Sequence, residues 1–402
     1  MNNPLTFLCI ASYKKGDDFL IRCKKEGCRV ILLTSKSLED ADWPRESIDE
    51  IFYIPDNQKQ WNMKDVIYGV SFLARKEKID RIVALDDFDV EKAAALREHL
   101  RLGGMGDTTA RYFRDKLAMR SRAQEVGLRV PPFAGILNYD TINEYFDSVE
   151  PPYIVKPRMQ AGAIGVRKIL NPDEFWKLLV ELGDEQSFYL IEKFVEGNVY
   201  HVDSIIHNKN IMFDCVSKYG LPPMEVAHKG RVFSSRTLHP DEDEAKDLSK
   251  FNKKVIEALG LKHGVSHTEF IKAKNNGEYY FLETSARVGG ANLSELVKAA
   301  TGINLWSEWA KIEILKSEGE YKLPEVNRKY AAILTSLSKQ EWPDLSNYND
   351  KEVVWKLKKK YHAGLIIASP AKKRINELLE KYTKRFYDDF FTSQPMKDTP
   401  FD

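Results

Sequence analysis

Two glutamates, Glu269 and Glu283, each stand inside a strongly apolar run, Thr268-Glu269-Phe270-Ile271 and Phe281-Leu282-Glu283-Thr284. The turn residues Asn275-Asn276-Gly277 lie between the two runs, so the pattern predicts an antiparallel hairpin. Such a hairpin can bring both carboxylates to neighbouring positions on one face. Buried like charges repel one another and are desolvated, so the pair needs a cation or basic partners. Mg²⁺ is the natural candidate, because it binds through one or two carboxylates together with nucleotide phosphates. A lysine, Lys156, ends the apolar strand Tyr153-Ile154-Val155 just before Pro157. After it, Met159 to Val166 is a turn of small residues containing Gly162 and Gly165, able to bring backbone N–H groups against phosphates.

Taken in order, these motifs resemble the ATP-grasp superfamily, in the branch that includes biotin carboxylase, carbamoyl phosphate synthetase and the carboxylate-amine ligases. The resemblance covers about residues 5 to 310. It implies that Glu269 and Glu283 are the metal-binding glutamates for Mg²⁺, with Mn²⁺ as an alternative. Arg287 matches the motif arginine beside the γ-phosphate and the acyl phosphate, a task that a planar two-pronged guanidinium suits. Lys116, in Arg114-Asp115-Lys116, matches the lysine that reaches the α-phosphate of ATP, and Lys156 matches the second ATP lysine. The turn with Gly162 and Gly165 resembles the flap that closes over the triphosphate. Leu190 to Gly197 resembles the hinge that grips adenine, with Glu192 and the backbone of Lys193, Phe194 and Val195 facing the ring edge. His201, followed by Asp203, resembles the His-Val-Glu of biotin carboxylase and is expected near the ribose or the phosphates.

The implied chemistry is ATP-dependent activation of a carboxylate as an acyl phosphate, then transfer to an amine with release of ADP and phosphate. Arg287 and Lys156 are the expected catalytic residues. Ser285 stands where the family has an asparagine as a further metal ligand, which leaves the number of metal ions open. Gly289-Gly290 after the arginine resembles the amine ligases more than biotin carboxylase. Biotin-carboxylase-type carboxylation and a nucleotide-binding regulator without turnover are the alternatives. The polar segment His228 to Arg236 is either an acceptor-site loop, as in the family, or a solvated one. His263 and His267 flank the first metal strand, and spacing alone does not make them ligands.

The remaining composition narrows the class. Lys plus Arg is 61 and Asp plus Glu is 60, so no net field draws the whole chain to nucleic acid or to an anionic membrane. The expected partners are a small-molecule carboxylate and amine, with no nucleic acid and no membrane; a homodimer is left open. The hydrophobic 43% comes in short runs, none near the ~18 residues of a membrane-spanning helix, and Met1 to Pro4 leads straight into Leu5 to Ala11. A cytoplasmic protein is expected. Four cysteines are too few and too irregular for a disulfide framework or a four-ligand zinc site.

To position these residues, strand and helix signals alternate over the first hundred residues. They predict a parallel sheet without the dinucleotide fingerprint G-x-G-x-x-G. A helix is expected from Asp107 to about Val126, and the chain then turns β-rich. Strands are expected at Tyr153 to Lys156, Val166 to Ile169, Tyr189 to Glu192, Val199 to Ile206, Ile211 to Val216, His267 to Ala273 and Glu278 to Glu283. Helices at Pro172 to Glu181 and Asp241 to Leu259 interrupt them. Strands Ala331 to Leu337 and Ala363 to Ala368 and a helix from Pro370 to Phe390 complete the tail. The expected fold class is α/β and α+β: an ATP-grasp fold with an N-terminal Rossmann-like (pre-ATP-grasp) domain and a small C-terminal cap. The expected units are residues 1–106, a helix and lid unit 107–196, a metal and catalytic unit 197–328, and the cap 329–402.

Overall fold

The computed structural model describes residues 4–57, 60–316 and 319–393, without the side chains of His228 and Lys229. The N-terminal unit runs β1 (Thr6–Ala11), α1 (Asp17–Lys25), β2 (Arg29–Ser35), β3 (Glu50–Ile54), α2 (Met63–Leu73), β4 (Arg81–Ala84) and α3 (Val90–His99). All its strand pairs are parallel, in the order β3-β2-β1-β4. Every residue of β1 is buried, as a strand covered on both faces requires. In α1 the acids Asp17 and Asp18 begin the helix and Arg22, Lys24 and Lys25 end it, matching its dipole.

Next come α4 (Asp107–Arg111), α5 (Lys116–Glu125), β5 (Phe133–Gly135), α6 (Tyr139–Ser148), β6 (Tyr153–Pro157), β7 (Arg167–Ile169), α7 (Pro172–Leu182) and β8 (Tyr189–Lys193). The single helix expected from residue 107 to 126 is two. Asp115 leaves helical geometry and its carboxylate accepts from the N–H groups of Leu117 and Ala118, so it caps α5. That cap puts Lys116 on the first turn of a new helix. The four strands form an antiparallel lid sheet, β5-β8-β6-β7, backed by Phe175, Tyr145 and Ile142 of helices α6 and α7.

The remainder comprises β9 (Gly197–His207), β10 (Asn210–Tyr219), α8 (Pro223–Lys229), β11 (Phe233–Thr237), α9 (Asp243–Leu259), β12 (Gly264–Ala273), β13 (Tyr279–Ser285), α10 (Leu293–Thr301) and α11 (Leu305–Leu315). It closes with β14 (Tyr330–Leu337), β15 (Val353–Lys356), β16 (His362–Ser369) and α12 (Lys372–Asp389). One eight-stranded sheet holds β13-β12-β9-β10-β11-β14-β16-β15 in that order. The tail, read from the sequence as a small cap, therefore adds its strands to the central sheet. The joint is β11, which pairs with β14 from Phe233↔Thr335 to Arg236↔Ala332. Its sequence, Phe-Ser-Ser-Arg-Thr, is too polar to announce a strand. On the other side α11 packs against α1, with the rings of Phe19 and Trp309 edge to face at 5.2 Å, and locks the N-terminal sheet to the central one. Burying aromatics of this size stabilises such a joint by roughly 2–3 kcal/mol each.

Candidate active site

A cleft of about 510 Å³ lies between the lid sheet and the central sheet. On the lid wall, β6 presents Lys156 and β8 presents Glu192, in the antiparallel register Ile154↔Glu192 and Lys156↔Leu190. The Lys156 ammonium sits 2.5 Å from Glu192 Oε1, and Arg120 of α5 donates from Nε and Nη2 to Oε2 at 3.1 and 3.0 Å. All three side chains are buried. Burial works to raise the Glu192 pKa, but Lys156 and Arg120 outweigh it and hold the carboxyl below its usual range. The Glu192 side chain, read from the sequence as facing the adenine edge, is thus a buried counter-ion on the cleft wall. Arg120 was missed because it sits among other charged helix residues; its only signal was the need of a buried carboxylate for a partner. The hinge residues Lys193, Phe194 and Val195 do line the cleft. The N–H groups of Lys193 and Phe194 are taken by the carbonyls of Pro132 and Pro152 at 2.8 and 3.0 Å.

Lys116 crosses between the walls. Its ammonium lies 2.5 Å from the Gln160 carbonyl on the flap and 3.2 Å from Glu283 Oε2 on the hairpin. Asp115 pairs with Arg158, and the Lys116 N–H donates to the Arg158 carbonyl at 2.9 Å, so the start of α5 is stapled to the start of the flap. Gly162 and Gly165 both have positive φ, 71° and 70°, which lets the flap turn tightly beside the cleft.

On the opposite wall the hairpin has the expected register, Glu269↔Glu283. A bulge makes Leu282 an extra residue on β13 and turns it to the cleft. Burial opposes ionisation of Glu283, yet Lys116 and Lys156 push its pKa down to about 2. Tyr219 of β10 donates its hydroxyl to Glu269 Oε1 at 2.7 Å. Arg287 follows β13 and lines the cleft, its Nε 3.9 Å from Asp87 Oδ1. Asp87 also takes Arg114 at 2.5 Å. Burial would raise the Asp87 pKa, and Arg114, Arg287 and Lys116 together hold it down. Asp87 was missed as a site residue, although its place just after β4 was a signal, since ligands of open parallel sheets bind beyond the carboxyl ends of the strands. Ser285, the departure from the family pattern, also helps to hold the Asp87 carboxyl down.

His201 is not at the cleft surface. It shares a face with Glu269 through the register Glu269↔His201 but is roofed by Tyr219 and His267, with ring centroids 4.8 and 5.1 Å away. It is fully buried, bonded through Nδ1 to Asp203 Oδ2 and through Nε2 to Ser235 Oγ, both at 2.8 Å. The histidine that reaches the cleft is His267, whose Nδ1 lies 2.8 Å from Asp203 Oδ1. Burial lowers the His267 pKa, and Asp203 more than reverses this, raising it to about 9. His263 lies away from the cleft, its ring 5.4 Å from that of His207. Of the segment 228–236, the side chains of His228 and Lys229 lie outside the described residues. The rest forms the end of α8 and β11, with Phe233 on the cleft.

A divalent cation fits Glu269 and Glu283. They are adjacent in register, both open to the cleft, and supply hard oxygen donors of the kind Mg²⁺ and Mn²⁺ prefer. The donor atoms of His201, Asp203 and His267 also lie within 4.8 Å of one another, and there the two imidazoles already bond to the two oxygens of Asp203.

The family profile of the ATP-grasp domain matches residues 149–295, which hold the flap, the hinge and the whole hairpin. Residues 149–295 thus carry the match to an ATP-grasp domain. Among solved structures, the L-amino acid ligase of Bacillus licheniformis superposes with a TM-score of 0.77 at 17% identity, covering 98% of this chain and 100% of that one. N5-carboxyaminoimidazole synthetase of Staphylococcus aureus gives a TM-score of 0.70 at 17% identity, covering 96% and 98%. The ATP-grasp fold of this chain is therefore shared over nearly its full length. The L-arginine-specific L-amino acid ligase of Bacillus subtilis is 24% identical over 274 residues, 67% of this chain and 65% of that protein. Alanine–anticapsin ligase of Bacillus subtilis is 25% identical over 294 residues, 67% and 60%. The chain thus matches less than two thirds of the length of these curated relatives. Among the described residues no helix is long and apolar enough to cross a membrane.

Proposed function

We propose that this protein is an ATP-dependent carboxylate-amine ligase joining small molecules of the amino-acid class, in a cytoplasmic setting. The observation that carries this reading is the convergence in one cleft of Lys116, Lys156 and Arg287 with the registered pair Glu269 and Glu283. Cations beside metal-binding carboxylates suit a triphosphate whose terminal phosphoryl group is to be transferred. The names of the relatives, which include amino acid ligases, support the substrate class.

In this reading, adenine lies against Ile154, Phe194, Ile271 and Leu282 of the cleft wall, with the hinge carbonyls and the Val195 backbone at its edge. Lys156 and Lys116 bind the phosphates. A Mg²⁺ or Mn²⁺ ion held by Glu269 and Glu283 supplies neutralisation of the charge on the transferred group. Arg287, steadied by Asp87, holds the oxygens of the transferred phosphoryl group and of the carboxylate that attacks it. The turn around Gly162 and Gly165 excludes water from the acyl phosphate that results, and the amine then displaces phosphate.

The test is phosphate release from ATP by the purified protein with pairs of L-amino acids, product masses being read in parallel. Release that depends on a pair of substrates, with a product lighter than their sum by one water, is expected. ATP hydrolysis that needs only bicarbonate, or no ATP consumption with any carboxylate and amine, would overturn it.

A further inference from the structure

The Tyr219, His267 and Asp203 side chains do no chemistry in the reaction above, yet Tyr219 and His267 converge on one atom and Asp203 backs His267. The Tyr219 hydroxyl donates to Glu269 Oε1 at 2.7 Å, and His267 Nε2 lies 3.6 Å from the same oxygen. Among the described residues Oε2 has no protein partner. His267 itself is fixed from behind. Its Nδ1–H points to Asp203 Oδ1, while the other oxygen of Asp203 takes His201, whose far nitrogen meets Ser235. A carboxylate with both oxygens occupied has one orientation, so the imidazole has one too.

A second observation ties this chain of bonds to the loop that carries Arg287. A Cβ added at Gly289 would lie 2.9 Å from Asp203 Oδ1 and 2.9 Å from His267 Nδ1. The backbone two residues after Arg287 therefore rests directly on the Asp203–His267 hydrogen bond. Any larger residue there must displace one of its two atoms.

We propose that Asp203, His267 and Tyr219 are positioning residues that pin Oε1 of Glu269 and so present Oε2 to the divalent cation. This inference rests on the reading of Glu269 as a metal-binding residue. A carboxylate held by one oxygen binds a cation through the other in a fixed direction, and the rotation that Glu269 would otherwise lose on binding is already lost. The same support underlies the Arg287 loop, so the cation-holding carboxylate and the arginine are referenced to one buried group, Asp203.

The test is Mn²⁺ titration, followed by electron paramagnetic resonance, of the full chain with a non-hydrolysable ATP analogue, together with thermal melting. Three variants divide the possibilities. Tyr219→Phe removes only the hydroxyl. His267→Asn retains a donor at the Nδ1 position for Asp203 and removes the group facing Glu269. His267→Gln keeps an amide near the Nε2 position and gives up Asp203.

The expected result is Mn²⁺ affinity about 10-fold weaker in Tyr219→Phe and in His267→Asn, both melting near the wild type, with partial recovery of affinity in His267→Gln. Wild-type Mn²⁺ affinity in Tyr219→Phe and His267→Asn would overturn the proposal and leave His267 as a packing partner of Asp203. Absence of nucleotide-dependent Mn²⁺ binding by the wild type would overturn it together with the metal reading. Tight wild-type binding that weakens in the variants, without turnover on any substrate pair, would sink the ligase reading while the positioning role stands.

Discussion

The lid wall and the hairpin wall of the cleft hold their charges in opposite ways. On the lid wall Lys156 and Arg120 share the one carboxylate of Glu192, and Arg158 has Asp115, so each cation has a fixed partner and one positive charge is left over. On the hairpin wall Glu269 meets the Tyr219 hydroxyl and, at 3.6 Å, His267, and Glu283 is paired with Lys116 reaching across the cleft. The lid wall keeps a surplus of positive charge on buried, fixed groups. The hairpin wall turns its two carboxylates to the cleft. The contrast separates two jobs, scaffold charge on one side and working charge on the other, and mutations should divide along the same line.

The largest expected effect lies on the hairpin side. Arg287→Met should lower substrate-dependent phosphate release about 10³-fold in steady-state assays, with the melting temperature little changed, because a preorganised donor to developing charge is lost. A drop under tenfold would erase the distinction between the walls. On the lid side, Glu192→Ala should cost about 3–5 kcal/mol in denaturant unfolding, since it strands Lys156 and Arg120 as buried, unpaired cations. Lys156→Met should leave Glu192 with Arg120 and weaken nucleotide binding by about tenfold or more in calorimetry, the scale of one charge-assisted hydrogen bond.

The smallest effect is a pH slope. Glu192 is held below its ordinary value of 4.5 in the folded protein, with burial opposing and Lys156 and Arg120 prevailing. Its contribution to stability is therefore present above pH 4.5 and is lost as acid drives protons onto the folded form. Stability measured downward from pH 4.5 should fall less steeply in Glu192→Gln than in the wild type; equal slopes would remove Glu192 from the account.

The hairpin was legible in the sequence because its evidence is local. Two apolar strands, a turn of Asn275-Asn276-Gly277 and a glutamate in each strand fix register without knowledge of any other element. Lys156 and the flap had local signals too, beside the end of β6, whereas Lys116 rested on the likeness of Asp115-Lys116 to the family pair. His201 and His267 were not distinguishable in this way. From Val199 onward β9 is buried throughout, so alternation does not say which residue opens to the cleft, and the answer depends on Tyr219 arriving from β10 and His267 from β12 to roof His201. The role of Glu192 likewise depended on Arg120, seventy-two positions earlier on α5. Helices α10 and α11 follow the Arg287 loop and bury Leu296, Val297, Trp309 and Ile312 at helical spacing. Their pattern was readable and lay outside the expected elements. The C-terminal strands were read as strands of a small cap, and their join to the central sheet was not legible because the polar β11 hides it.

That join has a practical consequence for shortening the protein. Ending the chain before β14 would strip the partner from β11 and leave a row of open N–H and C=O groups from Phe233 to Arg236, an exposed edge of the kind that recruits strands from other molecules. Ser235, which steadies His201 at the far end of the Asp203 chain, lies on that same row. A truncated form should therefore self-associate and lose its cleft geometry together, so the tail acts as a seam that closes the catalytic sheet.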